Sequence, residues 1–444
     1  MKIQKIRKQI KKDKHLINKL IKTAIARSIS ALGTFVFNFV LAKCLNISDY
    51  GYFMLSYSIL VGLGFFSRFG MSTAVIRFVS IMFSKQTFGQ IKKLRRDIFL
   101  INISANIVLG LLLICFRSYI GTRFFDGFPV EDMLLVFAFA LPFYSYQTIQ
   151  SSFFKAYKRP ELAPFFEIGL TTFLTGTIVA ALAWIGLQTT GLNAAIAFLF
   201  SSIFVVFCGY LILSKITRKA EGGRKFSIEK YSGFYSTLPD YALAAITGYF
   251  LKFSPTIILG FFATGKDVGL YSLVNSTSFV INFVLWIVTT VYAPHFADYY
   301  NQGEMKKLKG LYFSSTFYMM LIAVPVFLVI IIFPSFILGF FGSDFIEAKF
   351  ALVILACAQL FNVMTGQVNS LLNMTGHQRK LRNIVLLTAC ISIGSSLLLT
   401  PHYGYMGAVI ATAIGLIFQN SMAFYHSNKY LGIDILSMIK KRGR

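Results

Sequence analysis

Residues 92–116 read Lys92-Lys-Leu-Arg-Arg-Asp-Ile98-Phe-Leu-Ile-Asn-Ile-Ser-Ala-Asn106-Ile-Val-Leu-Gly-Leu-Leu-Leu-Ile-Cys-Phe116. Four basic side chains and one acid precede nineteen residues that carry no charge. A helix of that length rises about 28 Å, close to the ~30 Å hydrocarbon thickness of a bilayer. The stretch reads as a membrane span with its basic flank on the cytoplasmic side, where Lys and Arg are retained.

The same pattern recurs along the chain. Candidate spans fall at about 23–43, 51–70 (continuing toward 83), 98–116, 133–154, 164–186, 192–213, 237–262, 268–293, 311–333, 350–374, 381–400 and 405–426, which makes about twelve. Of the 444 residues, 56% are hydrophobic and 14% charged, against about 25% charged in soluble chains. The 48 Phe and 22 Tyr suit a lipid-facing surface with interfacial aromatic belts.

The net charge of +26 would point a soluble protein toward nucleic acid. Here its distribution argues for topology and lipid headgroups instead, with no nucleic-acid partner. Alternate gaps between spans, starting from the N-terminus, hold 35 of the 43 Lys and Arg; the intervening gaps hold five. That split predicts an even number of spans with both termini in the cytoplasm.

Other classes find little support. The N-terminal run Met1-Lys-Ile-Gln-Lys-Ile-Arg-Lys-Gln-Ile-Lys-Lys-Asp-Lys14 is too long and basic for a cleavable signal peptide. It reads as an amphipathic segment on the inner leaflet. Five cysteines with no paired spacing imply neither a disulfide framework nor a zinc site. No Walker loop, metal-ligand spacing or nucleophile–base arrangement is present, so no catalytic residue, metal or cofactor is expected. Gly62-Leu-Gly64 lies inside a span and reads as helix packing.

The chain repeats itself. Asp49-Tyr-Gly-Tyr-Phe53 before span two matches Asp267-Val-Gly-Leu-Tyr271 before span eight, an offset of 218. Gly191-Leu-Asn-Ala-Ala-Ile196 matches Gly404-Tyr-Met-Gly-Ala-Val409, an offset of 213. The predicted class is an all-α membrane protein of two six-helix lobes: a basic segment 1–22, an N-lobe 23–213, a polar linker 214–236, a C-lobe 237–427 and a basic tail 428–444. Six spans per half gives the halves the same orientation, a transporter architecture with its site between them.

Polar residues at membrane depth are the site candidates. Arg27, Ser30, Thr34 and Asn38 fall within about 80° of one another at 100° per residue, opposite an apolar face. Such a stripe faces either a cavity or a packed bundle, and Arg27 either joins it or snorkels to the headgroups. Arg68 shares a face with Tyr57 and Gly64 and lies too deep to snorkel. Arg77 follows, nearer the cytoplasm, facing cavity or headgroups. Span seven carries Lys252 near its middle and Asp240 near its inner end. Asn275, Asn282 and Thr289 recur every seven residues in span eight, and span ten carries Gln359, Asn362, Gly366, Ser370 and Asn373 on one face. Glu167 and Asp240 are the embedded acids, candidates for charge partners or ion coupling. The basic excess predicts a cavity suited to an anion: carboxylate, phosphate or pyrophosphate.

With its twelve spans, Leu41-Ala-Lys-Cys-Leu45, Ser48-Asp-Tyr-Gly-Tyr-Phe53, Gly70-Met-Ser-Thr-Ala-Val-Ile-Arg77 and Val268-Gly-Leu-Tyr271, the chain resembles the Wzx-type polysaccharide and O-antigen flippases of the MOP exporter superfamily. The resemblance implies a V-shaped, MATE-like pair of lobes, alternating access, and an undecaprenyl-pyrophosphate-linked oligosaccharide as substrate. It further implies a bacterial inner membrane setting and work beside the polymerase and glycosyltransferases of the same pathway. Family members often carry an acid before Gly70 and in mid-span seven, where this chain has Arg68 and Lys252. Both departures weaken the case for a coupling carboxylate and leave H+ or Na+ coupling or the membrane potential as the drive.

Two rivals remain at this stage. A multidrug exporter of the same superfamily would want cavity carboxylates for cationic drugs. A membrane glycosyltransferase or polymerase would want a large outer loop, which the gaps between spans do not provide.

Overall fold

The structure is a computed structural model that describes residues 2–125, 130–221 and 233–433. Helices account for nearly all of them, and no strand occurs among the described residues. Eleven helices there are long and apolar enough to cross a membrane.

A twelfth long helix, α5 (Val130–Ala156), follows the span α4 (Phe88–Phe124). It has the length but not the hydropathy, because its second half reads Tyr144-Ser-Tyr-Gln-Thr-Ile-Gln-Ser-Ser152. That polarity is affordable because α5 is buried on almost every face. A helix hidden among other helices must satisfy its polar groups against protein, and it gains nothing from being greasy.

The chain divides into two compact units. Unit 1 comprises residues 1–249 and 263–269; unit 2 comprises 250–262 and 270–444. The boundary falls inside the helix of span seven instead of in the polar segment 214–236. Most of that segment, residues 222–232, lies outside the described residues. So does most of the basic tail, from 434 onward.

In unit 1, α1 (Lys2–Cys44) runs without a break from the basic N-terminal segment into span one. The sequence boundary at residue 22 is thus no boundary in the helix. α2 (Ile47–Arg68) and α3 (Met71–Ser84) are separated at Phe69 and Gly70, whose φ values are 39° and 76°. Gly70 is required there: a Cβ would lie 2.6 Å from the carbonyl oxygen of Leu238 and the amide of Ala242. A π-helical turn (Phe165–Gly169) leads into α6 (Leu170–Trp184), and α7 (Gly191–Glu221) completes the set. α5 sits at the centre, packed by α2, α3, α4 and α7.

Span seven is α8 (Leu238–Phe262). Span eight is α9 (Gly265–Ser278), a 3-10 turn (Phe279–Asn282) and α10 (Phe283–Asn301). α11 (Met305–Ile332) and the short α12 (Pro334–Gly339) follow. Span ten breaks into α13 (Lys349–Met364) and α14 (Val368–Met374). α15 (Gln378–Tyr403) and α16 (Tyr405–Leu431) pack along each other and close unit 2.

The repeated Asp-x-Gly motifs have a structural role. Asn46 caps α2 by accepting the amide of Asp49 at 2.7 Å while its own amide donates to the Asp49 carboxylate at 3.2 Å. Thr264 and Asp267 cap α9: the Asp267 amide donates to the Thr264 hydroxyl at 3.3 Å, and that hydroxyl and its backbone amide donate to the carboxylate at 2.7 and 3.1 Å. The second is a reciprocal capping box; the first is an N-cap whose side-chain amide also holds the Asp49 carboxylate. The glycines permit backbone contact within unit 1: a Cβ on Gly51 would meet the Gly265 carbonyl oxygen at 1.8 Å and the Gly269 amide at 2.7 Å.

Candidate functional site

The α2–α5 contact in unit 1 holds the most unusual charge. Arg68 is 4% exposed, and its Nη1 has no hydrogen-bond partner among the described residues. Its guanidinium carbon stands 4.8 Å from the Phe65 ring centroid and 5.5 Å from that of Tyr144. Cation–π contacts of this kind hold a desolvated guanidinium without consuming its N–H donors. Gly64 makes the space: a Cβ there would lie 2.8 Å from Tyr144 Cε1 and 3.1 Å from Arg68 Nη1. Tyr57 closes on Tyr144 edge to face at 6.5 Å.

Around this charge the unit is tied by polar side chains. Ser67 and Ser145 hydroxyls lie 2.9 Å apart, and Asn102 donates to Ser145 at 2.8 Å, joining α2, α5 and α4. Thr171 donates to Gln147 at 2.8 Å, and Gln150 donates to the Val206 carbonyl at 3.0 Å.

The remaining candidates divide into separate groups. Thr34 and Asn38 are taken up by packing: Thr34 lies 3.4 Å from the Thr172 hydroxyl, and Asn38 donates to the Thr34 carbonyl at 2.9 Å and accepts from Tyr50 at 3.2 Å. Ser30 donates to the Pro164 carbonyl at 3.0 Å, so the span-one stripe faces the π turn and α6. The packed-bundle alternative is the one the structure realises for it, because span five brings acceptors and small residues to that face. Arg27 is half-buried at the edge of the stripe, with no ion pair among the described residues.

Arg77 is exposed on α3 and donates to the Tyr241 hydroxyl at 3.2 Å. Asp240 is exposed in the first turn of α8, where a carboxylate complements the helix dipole. Glu167, in the π turn, pairs with Lys155 at 3.1 Å. Lys252, in unit 2, is exposed midway along α8, 5.2 Å from the Phe253 ring centroid and without an ion pair among the described residues. In span eight, Asn275 is half-buried, and Asn282 accepts from Asn362 at 3.0 Å.

Tyr144 was not among the sequence candidates, nor was any residue of α5. The signal was present in the polar run 144–152 inside a span-length helix.

The family profile described as polysaccharide biosynthesis protein matches residues 40–350. The chain belongs to this family. Among curated relatives, the chain is 23% identical over 270 residues to a probable low-salt glycan biosynthesis flippase of Haloferax volcanii. That match covers 58% of this chain and 55% of the relative, so the chain spans about half the length of that protein. It is 20% identical over 389 residues to an uncharacterized membrane protein of Methanocaldococcus jannaschii, covering 84% of the chain and 76% of the relative.

Its fold is that of the MOP superfamily transporters. An inward-facing multidrug resistance transporter of the MATE family superposes with a TM-score of 0.73 at 12% identity, covering 92% of this chain and 98% of that one. The lipid II flippase MurJ in an inward closed conformation gives 0.70 at 14% identity, covering 92% and 87%. A Pyrococcus furiosus MOP transporter, described as having a binding pocket of reverse polarity, gives 0.57 at 14% identity, covering 94% and 95%.

Proposed function

We propose that this multi-pass membrane protein is a flippase for a polyprenyl-pyrophosphate-linked oligosaccharide, moving the repeat unit of a surface polysaccharide such as O-antigen or capsule from the cytoplasmic to the outer leaflet. The observation that carries this reading is Arg68, a buried guanidinium with an unused donor and no ion pair among the described residues. A charge so placed is costly unless an anion completes it. Phosphate oxygens suit the planar fork of arginine. Membership of the polysaccharide biosynthesis family and the glycan flippase relative point to the same substrate class.

In this scheme Arg68 receives the pyrophosphate, Lys252 is a second cation available to the anionic substrate, Arg77 lies on its approach from the cytoplasmic side, and the lipid tail stays in the bilayer. Glu167 is paired with Lys155. Alternating access carries the headgroup across. With the cytoplasm negative, outward movement of an anion gains about 2.3 kcal/mol per charge per 100 mV, which supplies drive without a dedicated ion site. H+ or Na+ coupling is the competing source of drive. The setting is the plasma membrane, the inner membrane in a bacterium, beside the glycosyltransferases and polymerase that make and use the lipid-linked unit.

The test is surface-polysaccharide complementation at matched protein level with Arg68→Ala and Lys252→Ala. Each is expected to lower export at least tenfold. Full export by the double variant would sink the anion-cavity mechanism. A multidrug exporter, the second reading, rests on the MATE-like fold. Resistance to cationic drugs without any polysaccharide phenotype would favour it.

A further inference from the structure

Unit 2 contains a second polar interior, different in kind. Between residues 350 and 374 the tenth span carries no charged side chain, yet it holds Gln359, Asn362, Gln367, Asn369 and Asn373. It breaks at Gly366, where φ is 69° and a Cβ would lie 2.3 Å from the Thr316 hydroxyl. The Thr365 carbonyl beside the break is taken by the Tyr312 hydroxyl. The interruption is thus built into the fold and supported by α11.

The amides around it are not all satisfied. Gln359 is 3% exposed and Gln367 2% exposed. Gln359 Oε1, both polar atoms of Gln367 and Asn369 Oδ1 have no hydrogen-bond partner among the described residues. Asn362 is accounted for by Asn282, and Asn369 reaches Asn420 at 3.5 Å. Broken helices and uncompensated polar groups at membrane depth are tolerated where they serve a site.

An amide offers two donors beside a carbonyl acceptor in one plane, and a hydroxyl is donor and acceptor at once. Neighbouring sugar hydroxyls match both halves of an amide; a phosphate, which only accepts, leaves each amide carbonyl without a donor. We propose that the amide cluster at the α13–α14 break is a sugar subsite, taking neutral, hydroxyl-bearing rings of the glycan. This inference rests on the flippase reading and assigns the uncharged part of the same substrate.

The test uses the purified full chain in nanodiscs and two ligands: undecaprenyl pyrophosphate, and the glycan-bearing polyprenyl pyrophosphate extracted from the source cells. Gln359→Leu and Gln367→Met replace unpartnered buried amides with apolar groups of similar size. Their thermal midpoints without ligand are expected to match or exceed wild type. Each is expected to bind undecaprenyl pyrophosphate within about twofold of wild type and the glycan-bearing lipid about tenfold more weakly. Arg68→Leu is expected to weaken both.

If the amide variants weaken both lipids equally, or neither, the subsite is wrong while the flippase reading stands. If wild type binds neither lipid, both fall. If NaCl but not choline chloride raises the wild-type midpoint and Gln359→Leu abolishes that rise, the amides hold a cation and the sugar assignment is overturned.

Discussion

The fourth and tenth spans occupy equivalent places in the two halves of the sequence and have diverged in opposite directions. In unit 1, α5 is one unbroken helix of 27 residues whose buried polar side chains tie neighbouring helices together and flank a guanidinium. In unit 2, the corresponding span is split at Gly366 and carries amides with unused hydrogen-bonding capacity and no charge. A membrane interior allows a polar helix either when every group is answered by protein or when something else answers it. Unit 1 takes the first course at Ser67, Ser145, Asn102 and Thr171, while Arg68 Nη1, Gln147 Nε2 and Gln150 Oε1 keep no partner among the described residues. Unit 2 takes the second at several positions along one span.

Three substitutions test that contrast. The largest effect is expected from Gly366→Val, which sets a β-branched side chain at φ 69° against Thr316. Strain of about 3 kcal/mol or more should abolish a monodisperse peak in fluorescence-detected size exclusion; normal folding would mean the break is dispensable. Next is Gly64→Ala. Its methyl would meet Tyr144 at 2.8 Å and crowd Arg68, so the protein should fold while export falls about tenfold, roughly 1.4 kcal/mol in the barrier. Unchanged export would remove the Arg68–Tyr144 geometry from the mechanism. The smallest is Asn102→Leu, which deletes the donor to Ser145. Interhelical hydrogen bonds in membranes are worth about 0.6 kcal/mol on average, so the thermal midpoint should drop by a few degrees with export retained. Loss of export at full stability would give the triad a role beyond packing.

Much of the fold was legible because membrane spans announce themselves by length and by the charge of their flanks. The run 98–116 needed no structure to be read, and α4 contains it whole. The repeat offsets also located the helix caps at Asp49 and Asp267. Helix partners were not legible. The span-one stripe has the periodicity of a cavity wall and of a packing face alike, and only the approach of the Pro164 carbonyl and Thr172 decides between them. Arg68 was visible as a misplaced charge, whereas Tyr144, 76 residues away, became its neighbour through the packing of α5 on α2. The unit boundary inside α8 was hidden for a similar reason. The first turns of that helix lie against Gly70, Arg77 and Gly62, contacts that no composition shift marks.

The meeting of Gly51 with Gly265 and Gly269 has a further consequence. Gly51 and Gly269 are the same position in the two copies of the repeat, and in the folded chain each is the other's neighbour. Both copies of the repeat thus need bare backbone at the same place, Gly51 against Gly265 and Gly269, and Gly269 against the Ile47 carbonyl. They kept the same letter where one half reads the other directly.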